Sequence, residues 1–240
     1  MKTRTRLRFL AMTCGCSALF IIEVLEPFVS KWMLLELQHV SMLVGYENLW
    51  VTRVRRKCER EVLARVSSRV YRESVVELEE KLASEYGRLL VLDPSAEEAL
   101  SPRDFSEGRT VVVIGGIMGA HPPLGRTRSE LTQKLRKPTP RNLGGLQLTI
   151  DGAAYVAREV CCGKELRDLE LLRGLTMHTR LGTLQLPYAY PMRDGVPVVA
   201  PGEIDYILLE LEDEESLMIR GRRADICSAF RRRAASHAPQ

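Results

Sequence analysis

The chain has 240 residues, of which 45% are apolar and 28% charged, and its formal net charge is +4. A chain of this length forms one large α/β domain or two small ones with a substantial buried core. Its balance of apolar and charged residues is ordinary for a globular protein and excludes a disordered or fibrous chain. Arginines cluster at residues 53–72 and 220–233, a pattern typical either of solvated surfaces or of sites that bind phosphate groups or an acidic partner.

The N-terminal region combines a basic start with an apolar stretch. Four basic residues within positions 2–8 precede the apolar-rich residues 9–22, and together they resemble a short signal peptide. The stretch contains polar residues, lacks a clear cleavage site and is too short to span a membrane. We therefore expect residues 1–17 to be a basic extension or the product of an upstream start codon, residues 18–212 to form one domain, and residues 213–240 to form a flexible basic tail.

The six cysteines are Cys14, Cys16, Cys58, Cys161, Cys162 and Cys227. No two of them have the two-residue gap of a zinc knuckle, and no histidine stands at ligand spacing from them. The adjacent Cys161 and Cys162 are an awkward start for a disulfide framework. We expect small, buried, reduced thiols in a cytoplasmic protein without a metal site.

Strand and helix patterns alternate along most of the chain. Strands are predicted at residues 19–24, 49–54, 89–92, 111–114 and 146–149. Helices are predicted from a Ser30 cap to Gly45, within residues 55–86, and at residues 95–109 (with a loop), 129–137, 151–159, 166–173 and 204–211. The proline-rich segment between the last two helices is predicted to be irregular. The alternation predicts a mainly parallel sheet flanked by helices.

Two glycine-bearing segments are the strongest functional signal. The first, Val111–Pro123, begins as a buried strand and continues into three closely spaced glycines; the second, Arg141–Ala153, has a Gly-Gly pair ahead of an apolar run. Glycines let the backbone approach a ligand closely, and α/β proteins bind cofactors at the carboxyl ends of strands. Gly-Gly pairs also occur in ordinary turns. The segments therefore predict either plain turns or two loops that enclose one small molecule.

Familiar nucleotide and hydrolase motifs are absent from the sequence. The first segment lacks the G-x-G-x-x-G spacing of dinucleotide-binding proteins, and no acidic residue stands about twenty positions further on. No Gly-Lys-Ser/Thr follows, which excludes a P-loop, and there is no G-x-S-x-G nucleophile elbow. The loops alone specify a small ligand and no particular reaction.

Five blocks of the sequence together resemble one family. They are Leu19–Gly45, Leu90–Ser101, Ile114–Thr127, Arg141–Ala154 and Leu184–Leu209, and the third contains the long pattern GGIxGxHPPxxRT. The chain resembles SPOUT-class methyltransferases, which use S-adenosylmethionine. Within that class it resembles the protein-arginine methyltransferase branch that acts on a small-subunit ribosomal protein. The resemblance implies a mainly parallel α/β fold with a deep C-terminal trefoil knot, and a cytoplasmic enzyme that methylates an arginine nitrogen.

The resemblance also implies site residues. Both glycine segments would hold the cofactor, through Gly115, Gly116, Ile117, Gly119, Pro122, Leu143, Gly144, Leu146, Leu148 and Thr149. Four charged residues are candidates for the chemistry: Glu23, Glu26 and Asp151 would orient the guanidinium and take its proton, and Arg126 would hold a carboxylate. From the residues alone, Asp151 equally fits a helix cap, and the two glutamates fit turns.

Three positions depart from the family pattern. Ala120 replaces a usual acidic residue, and Ile150 and Gly152 replace usual threonines, so hydrogen-bonding side chains are lost while the backbone of the pocket is kept. Two alternatives remain open. The arginine-rich residues 53–72 are compatible with an RNA substrate, as in most SPOUT enzymes, and the altered pocket positions with a non-catalytic ribosome-associated module, but arginine methylation is the favoured interpretation. The sequence sets neither the acceptor residue nor the oligomeric state, monomer or homodimer.

Overall fold

The computed structural model describes residues 15–118, 125–179, 182–221 and 224–227, with the backbone alone at residues 179 and 182. Six strands form a parallel sheet in the order β3-β2-β1-β5-β4-β6. They are β1 (Leu19–Val24), β2 (Leu49–Thr52), β3 (Arg69–Val70), β4 (Arg88–Leu92), β5 (Thr110–Gly116) and β6 (Thr139–Arg141). The predicted parallel α/β sheet is confirmed.

The centre of the sheet determines where a ligand can bind. Every residue of β1 is buried, as are the first five of β5, because both faces of a parallel sheet are covered by other elements. After β1 the chain continues toward one edge of the sheet through β2 and β3, whereas after β5 it passes β4 and reaches β6 at the opposite edge. Such a reversal leaves a crevice at the carboxyl ends of the two central strands. Val24 pairs with Gly116 at this end.

The helices are α1 (Lys31–Val44), α2 (Lys57–Leu63), α3 (Glu79–Tyr86), α4 (Ile150–Cys161), α5 (Glu203–Leu209) and α6 (Leu211–Ile219). As predicted, Ser30 caps α1 by accepting a hydrogen bond from Met33 N (3.1 Å), and Gly45, with φ of 91°, ends it. α1 packs against α4. Within the described residues, no helix is long and apolar enough to cross a membrane.

The start of α4 differs from the prediction. Asp151 was the predicted cap, but the helix begins at Ile150, so that Thr149 is the cap and accepts from Gly152 N at 3.2 Å. Asp151 also accepts from that N–H, at 2.9 Å, but from inside the helix. A Cβ on residue 152 would lie 2.8 Å from Thr149 Oγ1 and 3.3 Å from Pro191 Cδ. The glycine that replaces a usual threonine therefore makes room for the cap.

A second, antiparallel sheet follows where a helix and irregular chain were predicted. Its strands are β7 (Leu171–Thr179), β8 (Gly182–Arg193) and β9 (Val196–Pro197). Pro187 lies in β8 at a register shift opposite Gly174, whose φ is 74°. At a bulge the regular hydrogen bonds between the strands are interrupted, so Pro187, which has no N–H to donate, does not break the strand.

Other expectations also fail in detail. Residues 142–149 are not a strand, although Leu148 makes one bridge to Ala189. The helix predicted at 129–137 is a π-turn over Arg128–Thr132, and residues 95–109 contain a short 3₁₀ turn. The region 55–86 is split by β3. Beyond residue 213, α6 continues to Ile219 and residues 224–227 are buried. The domain boundary at 212 and the flexible tail stay predictions.

The expectation of reduced cysteines is wrong for the described residues. Cys16 pairs with Cys161 and Cys58 with Cys227, with Cα separations of 5.4 and 5.8 Å, and Cys162 is disulfide-bonded as well. These separations are normal for disulfides. The partners stand 145 and 169 residues apart in sequence, which is why spacing rules gave no sign of the pairing.

Candidate active site

A cavity of about 480 Å³ lies at the carboxyl ends of the central strands. This volume is within the range of small-molecule sites. Both glycine segments line it, so the prediction that they face one cavity is supported by the structure. The predicted cofactor residues in its wall are Gly115, Ile117, Leu143, Gly144, Leu146, Leu148 and Thr149. Gly119 and Pro122, together with Ala120, His121 and Pro123, lie outside the described residues.

Gly116 is not among the lining residues. A Cβ built on it would lie 3.0 Å from the backbone oxygen of Glu23 and 3.1 Å from Ile22 Cγ2. Its small size therefore serves the close approach of β5 to β1. At Gly145, which does line the cavity, no atom of the described chain lies within 4 Å of an added Cβ.

One end of the cavity carries opposite charges. Arg126 Nη1 donates to Glu26 Oε1 at 2.8 Å, and Arg126 also donates to the backbone oxygen of Leu25. Glu26 Oε1 further accepts from Met118 N at 3.1 Å. Arg126 Nε donates to Glu130 at 2.9 Å. An ion pair at a cavity wall complements a ligand that carries both an ammonium and a carboxylate group, as an amino acid does.

Much of the remaining cavity lining is apolar. The apolar residues include Leu92, Ile114, Leu143, Leu146, Leu148 and Ile150. Apolar walls with a few convergent polar groups are the usual construction of a cofactor site. The lining thus suits a ligand that combines an amino-acid moiety with a largely apolar part.

A second, small cavity of about 20 Å³ adjoins the first. It shares Ile117, Met118, Gln147, Leu148 and Thr149 with the larger cavity. Its remaining walls are Trp32, Glu36 and Tyr188. This volume holds about one water molecule, so a larger group would enter by displacing side chains.

Three buried carboxylates converge beside the small cavity. One oxygen from each of Glu36, Asp151 and Glu203 lies within 4.8 Å of the others. They come from α1, α4 and α5, and all three residues are buried. Converging carboxylate oxygens suit a cation, either a guanidinium or a metal ion.

Each carboxylate of the cluster takes part in a hydrogen bond, but one oxygen, Oε1 of Glu203, has no partner among the described residues. Glu36 accepts from Ile150 N at 2.8 Å, and Glu203 accepts from Ala200 N at 3.2 Å. Asp151 Oδ2 lies 2.7 Å from Nδ1 of His39. The Oε1 atom of Glu203 is also buried. A buried oxygen of this kind is costly unless a ligand pairs with it.

Burial and mutual repulsion raise the pKa of two carboxyl groups of the cluster, Glu36 and Glu203. Burial raises the pKa of Glu203 to about 8, and the charge of Asp151 adds to the effect. Burial also raises the pKa of Glu36, with further contributions from the charges of Asp151 and Glu203. The nearby indole N–H of Trp32 acts in the opposite direction and lowers the pKa of both Glu36 and Glu203. It forms no hydrogen bond to either carboxylate. A cation entering the cluster would displace protons.

A sequence model of SFM1-like protein arginine N-methyltransferases matches residues 19–214. The chain belongs to this family. Protein arginine N-methyltransferase SFM1 of Saccharomyces cerevisiae is 27% identical over 201 residues, which cover 78% of this chain and 93% of the yeast protein. The yeast arginine methyltransferase SFM1 complexed with SAH has a TM-score of 0.70 at 25% identity, covering 79% of this chain and 94% of that chain. Its complex with SAM has a TM-score of 0.71 at 24% identity, covering 82% and 92%.

Two of the four candidate catalytic residues of this SFM1-like chain, Glu26 and Arg126, line the larger cavity, and Asp151 belongs to the carboxylate cluster. Glu23 does not reach either place. It is fully buried and accepts hydrogen bonds from Thr52 Oγ1 (2.5 Å), Ser74 Oγ (2.6 Å) and Val75 N (3.0 Å). Its carboxylate therefore fixes a loop.

The sequence analysis did not identify Glu36 and Glu203 of the cluster or Trp32 and His39 beside it. One signal was present for Glu36, an acidic residue within the apolar run WMLLEL of α1. Charged residues are rarely fully buried unless they are paired. Glu203 gave less warning, because an acidic residue in the first turn of a helix is ordinary.

The raised pKa of Glu203 leads to a testable pH dependence of stability. The folded protein keeps this proton up to about pH 8, whereas the ordinary value is 4.5. Between these values the folded state binds more protons than the unfolded state, so the free energy of unfolding falls as pH rises. We expect the wild type to lose up to about 3 kcal/mol more than Glu203→Gln between about pH 5.5 and about pH 8. Urea unfolding at both pH values measures this, and equal losses in the two proteins would contradict it.

Proposed function

We propose that this protein transfers a methyl group from S-adenosylmethionine to an arginine side chain of a small-subunit ribosomal protein. The observation that carries the proposal is the buried cluster of Glu36, Asp151 and Glu203, which adjoins the glycine-loop cavity and suits a guanidinium. Membership of the SFM1-like family supports the reaction. The yeast enzyme complexed with SAM, SAH and MTA supports the cofactor. The ribosomal substrate comes from the resemblance described above.

The residues of the larger cavity fit S-adenosylmethionine. Glu26 would pair with its ammonium group and Arg126 with its carboxylate, and the backbone of residues 143–149 would lie beside the adenine among apolar side chains. When bound, the cofactor supplies a methyl group on a positively charged sulfur. The contribution of the protein to this step is mainly proximity and alignment of the acceptor.

The acceptor guanidinium would reach the carboxylates by passing the aromatic side chains of Trp32 and Tyr188, which line the small cavity. The two rings pack edge to face, with their centroids 6.5 Å apart. Glu36 and Glu203 would hold it through charge-assisted hydrogen bonds, and the unpaired Oε1 of Glu203 would gain a partner. A guanidinium is a poor nucleophile while fully protonated. The carboxylates would orient its nitrogen and take the proton that it loses.

The RNA alternative is less well supported by the site. A nucleobase brings phosphates with it, and three buried carboxylates repel them. The exposed Arg55 and Arg72 of the basic region offer phosphate contacts on the surface, but they are not lining residues of either cavity. The site favours a cationic acceptor.

Tritiated S-adenosylmethionine, incubated with the purified protein and small ribosomal subunits, tests the proposal. We expect label in the protein fraction that resists RNase and that amino-acid analysis assigns to methylarginine. Label in RNase-sensitive material would replace the proposal with the RNA alternative. Transfer to neither fraction would favour a non-catalytic ribosome-associated module.

Further features of the protein belong to the same proposal. We propose a deep trefoil knot in the C-terminal half and a domain over residues 18–212, as the resemblance implies. A ribosomal substrate favours the cytoplasm, whereas disulfides are typical of oxidising compartments. Alkylation of the thiols in intact cells, followed by mass spectrometry, distinguishes the two locations. Whether the protein works as a monomer or a homodimer is read from its mass in solution.

Gly145 provides a selective test of the cofactor cavity. An added side chain meets open space at this position, and φ is not positive, so the fold should tolerate it. We expect Gly145→Val to weaken S-adenosylmethionine binding about 10-fold or more, because the new methyl groups occupy ligand space. Calorimetric titration measures the affinity. Gly15→Val is the matched control, since Gly15 also has open space but does not line the cavity; equal affinity of the two variants would contradict the placement.

A further inference from the structure

His39 connects the carboxylate cluster to solvent. Its Nδ1 lies 2.7 Å from Oδ2 of Asp151, and its side chain is 12% exposed whereas that of Asp151 is 1% exposed. Glu36 and His39 stand three residues apart on α1 and so share a face of that helix, which packs against α4. From the small cavity outward, the order is Glu36, Asp151, His39.

Arginine methylation releases one proton in every turnover. The acceptor nitrogen gains a bond to the methyl carbon as the S–C bond breaks, and that electron pair returns to sulfur. The positive charge stays on the methylated guanidinium, so one N–H proton must leave. With the guanidinium at the cluster, the proton acceptors beside it would be the buried carboxylates, whose oxygens lie within 4.8 Å of each other, a distance that one water molecule can bridge. This proton has to reach solvent before the next turnover.

We propose that His39 is a positioning residue for this reaction, which fixes Asp151 and conducts the released proton from it to water. The inference rests on the function proposed above. As Asp151 gives its proton to Nδ1, the Nε2–H of the ring gives one to water, so one proton enters the ring and one leaves. Imidazole groups exchange protons in this way near neutral pH.

The other groups around the cluster do not offer this exit. Glu36 and Glu203 face it from α1 and α5, and Tyr188 and Tyr190 from β8. Burial raises the pKa of both tyrosines, so they remain neutral. The His39 ring is hydrogen-bonded to Asp151 and is 12% exposed, so it offers a route from the cluster to solvent.

The test compares His39→Ala with His39→Gln. The glutamine retains a hydrogen-bond donor toward Asp151, and this variant serves as the test if the alanine variant folds poorly. Gln38→Ala, at the exposed neighbouring position, is the matched control. Methylation kinetics between about pH 6 and about pH 9, with and without imidazole, give kcat and KM, and calorimetry gives the cofactor affinity. We expect kcat of both His39 variants to fall about 10- to 100-fold. KM and cofactor affinity should stay within about twofold, and imidazole should restore part of kcat in His39→Ala.

Two results would overturn the inference, and they are distinguishable. An active wild type whose His39 variants keep kcat and the pH profile, or lose kcat without recovery in imidazole, contradicts the proton exit alone. A wild type that methylates no arginine contradicts the proposed function and the inference with it.

Discussion

Replacing Glu36 by glutamine is expected to lower kcat for arginine methylation about 100-fold or more while the affinity for S-adenosylmethionine changes less than about twofold. Glu36 lines the small cavity and not the larger one, so its charge acts on the acceptor. Glutamine keeps the size of the side chain and can still accept from Ile150 N. It removes the negative charge that holds a guanidinium and takes its proton.

The matched control for this substitution is Glu47→Gln, at an exposed position beyond the end of α1. Steady-state kinetics on an arginine-containing substrate give kcat and KM, and calorimetry gives the cofactor affinity. If Glu36→Gln retains wild-type kcat, the acceptor does not bind at this cluster. If it loses cofactor affinity instead, the two cavities are not separate in function.

Replacing Cys58 and Cys227 by serine is expected to lower the free energy of unfolding by about 3–5 kcal/mol. The disulfide closes a loop with a sequence separation of 169 residues, and a cross-link stabilises mainly by restricting the unfolded chain. It also anchors the segment 224–227, where Ile226 N donates to the backbone oxygen of Val29 at 3.1 Å, just ahead of α1. A looser segment would also disturb the start of the helix that carries Glu36.

Urea unfolding of the double serine variant, compared with oxidised and reduced wild type, measures the effect. The reduced wild type should be the least stable of the three, because the Cys16–Cys161 bond is lost as well. Coincident unfolding curves for all three, or free thiols at Cys58 and Cys227 in protein purified without reductant, would contradict the disulfide assignment.

Local signals predicted the elements that depend on nearby residues. Leu19–Val24 has the predicted bounds because its apolar run needs no knowledge of partners, and Ser30 and Gly45 delimit α1 through contacts within the helix ends. The β7–β8 hairpin was missed, since its prolines read as irregular chain until the bulge at Gly174 is known. The predicted strand at 146–149 was wrong because its apolar residues line a cavity instead of packing within a sheet.

The site was predictable where one segment supplies the feature and hidden where distant segments combine. The two glycine segments predicted the larger cavity, because each one contributes residues to its wall. The carboxylate cluster could not be predicted from the sequence, because its contacts join distant segments: the hydrogen bond from Ile150 N to Glu36 spans 114 residues of sequence. Glu23 was a reasonable candidate at the end of β1, yet its carboxylate is bound by Ser74 and Val75. Only three-dimensional proximity separates the carboxylate that binds a loop from those that could bind a guanidinium.

The most direct measurement is tandem mass spectrometry of small-subunit ribosomal proteins after incubation with S-adenosylmethionine and either wild-type protein or Glu36→Gln. We expect one or more arginines to gain the mass of a methyl group with the wild type and to remain unmodified with the variant. Methylation of a residue other than arginine, or equal arginine methylation by both proteins, would contradict the assignment of the carboxylate cluster as the acceptor site.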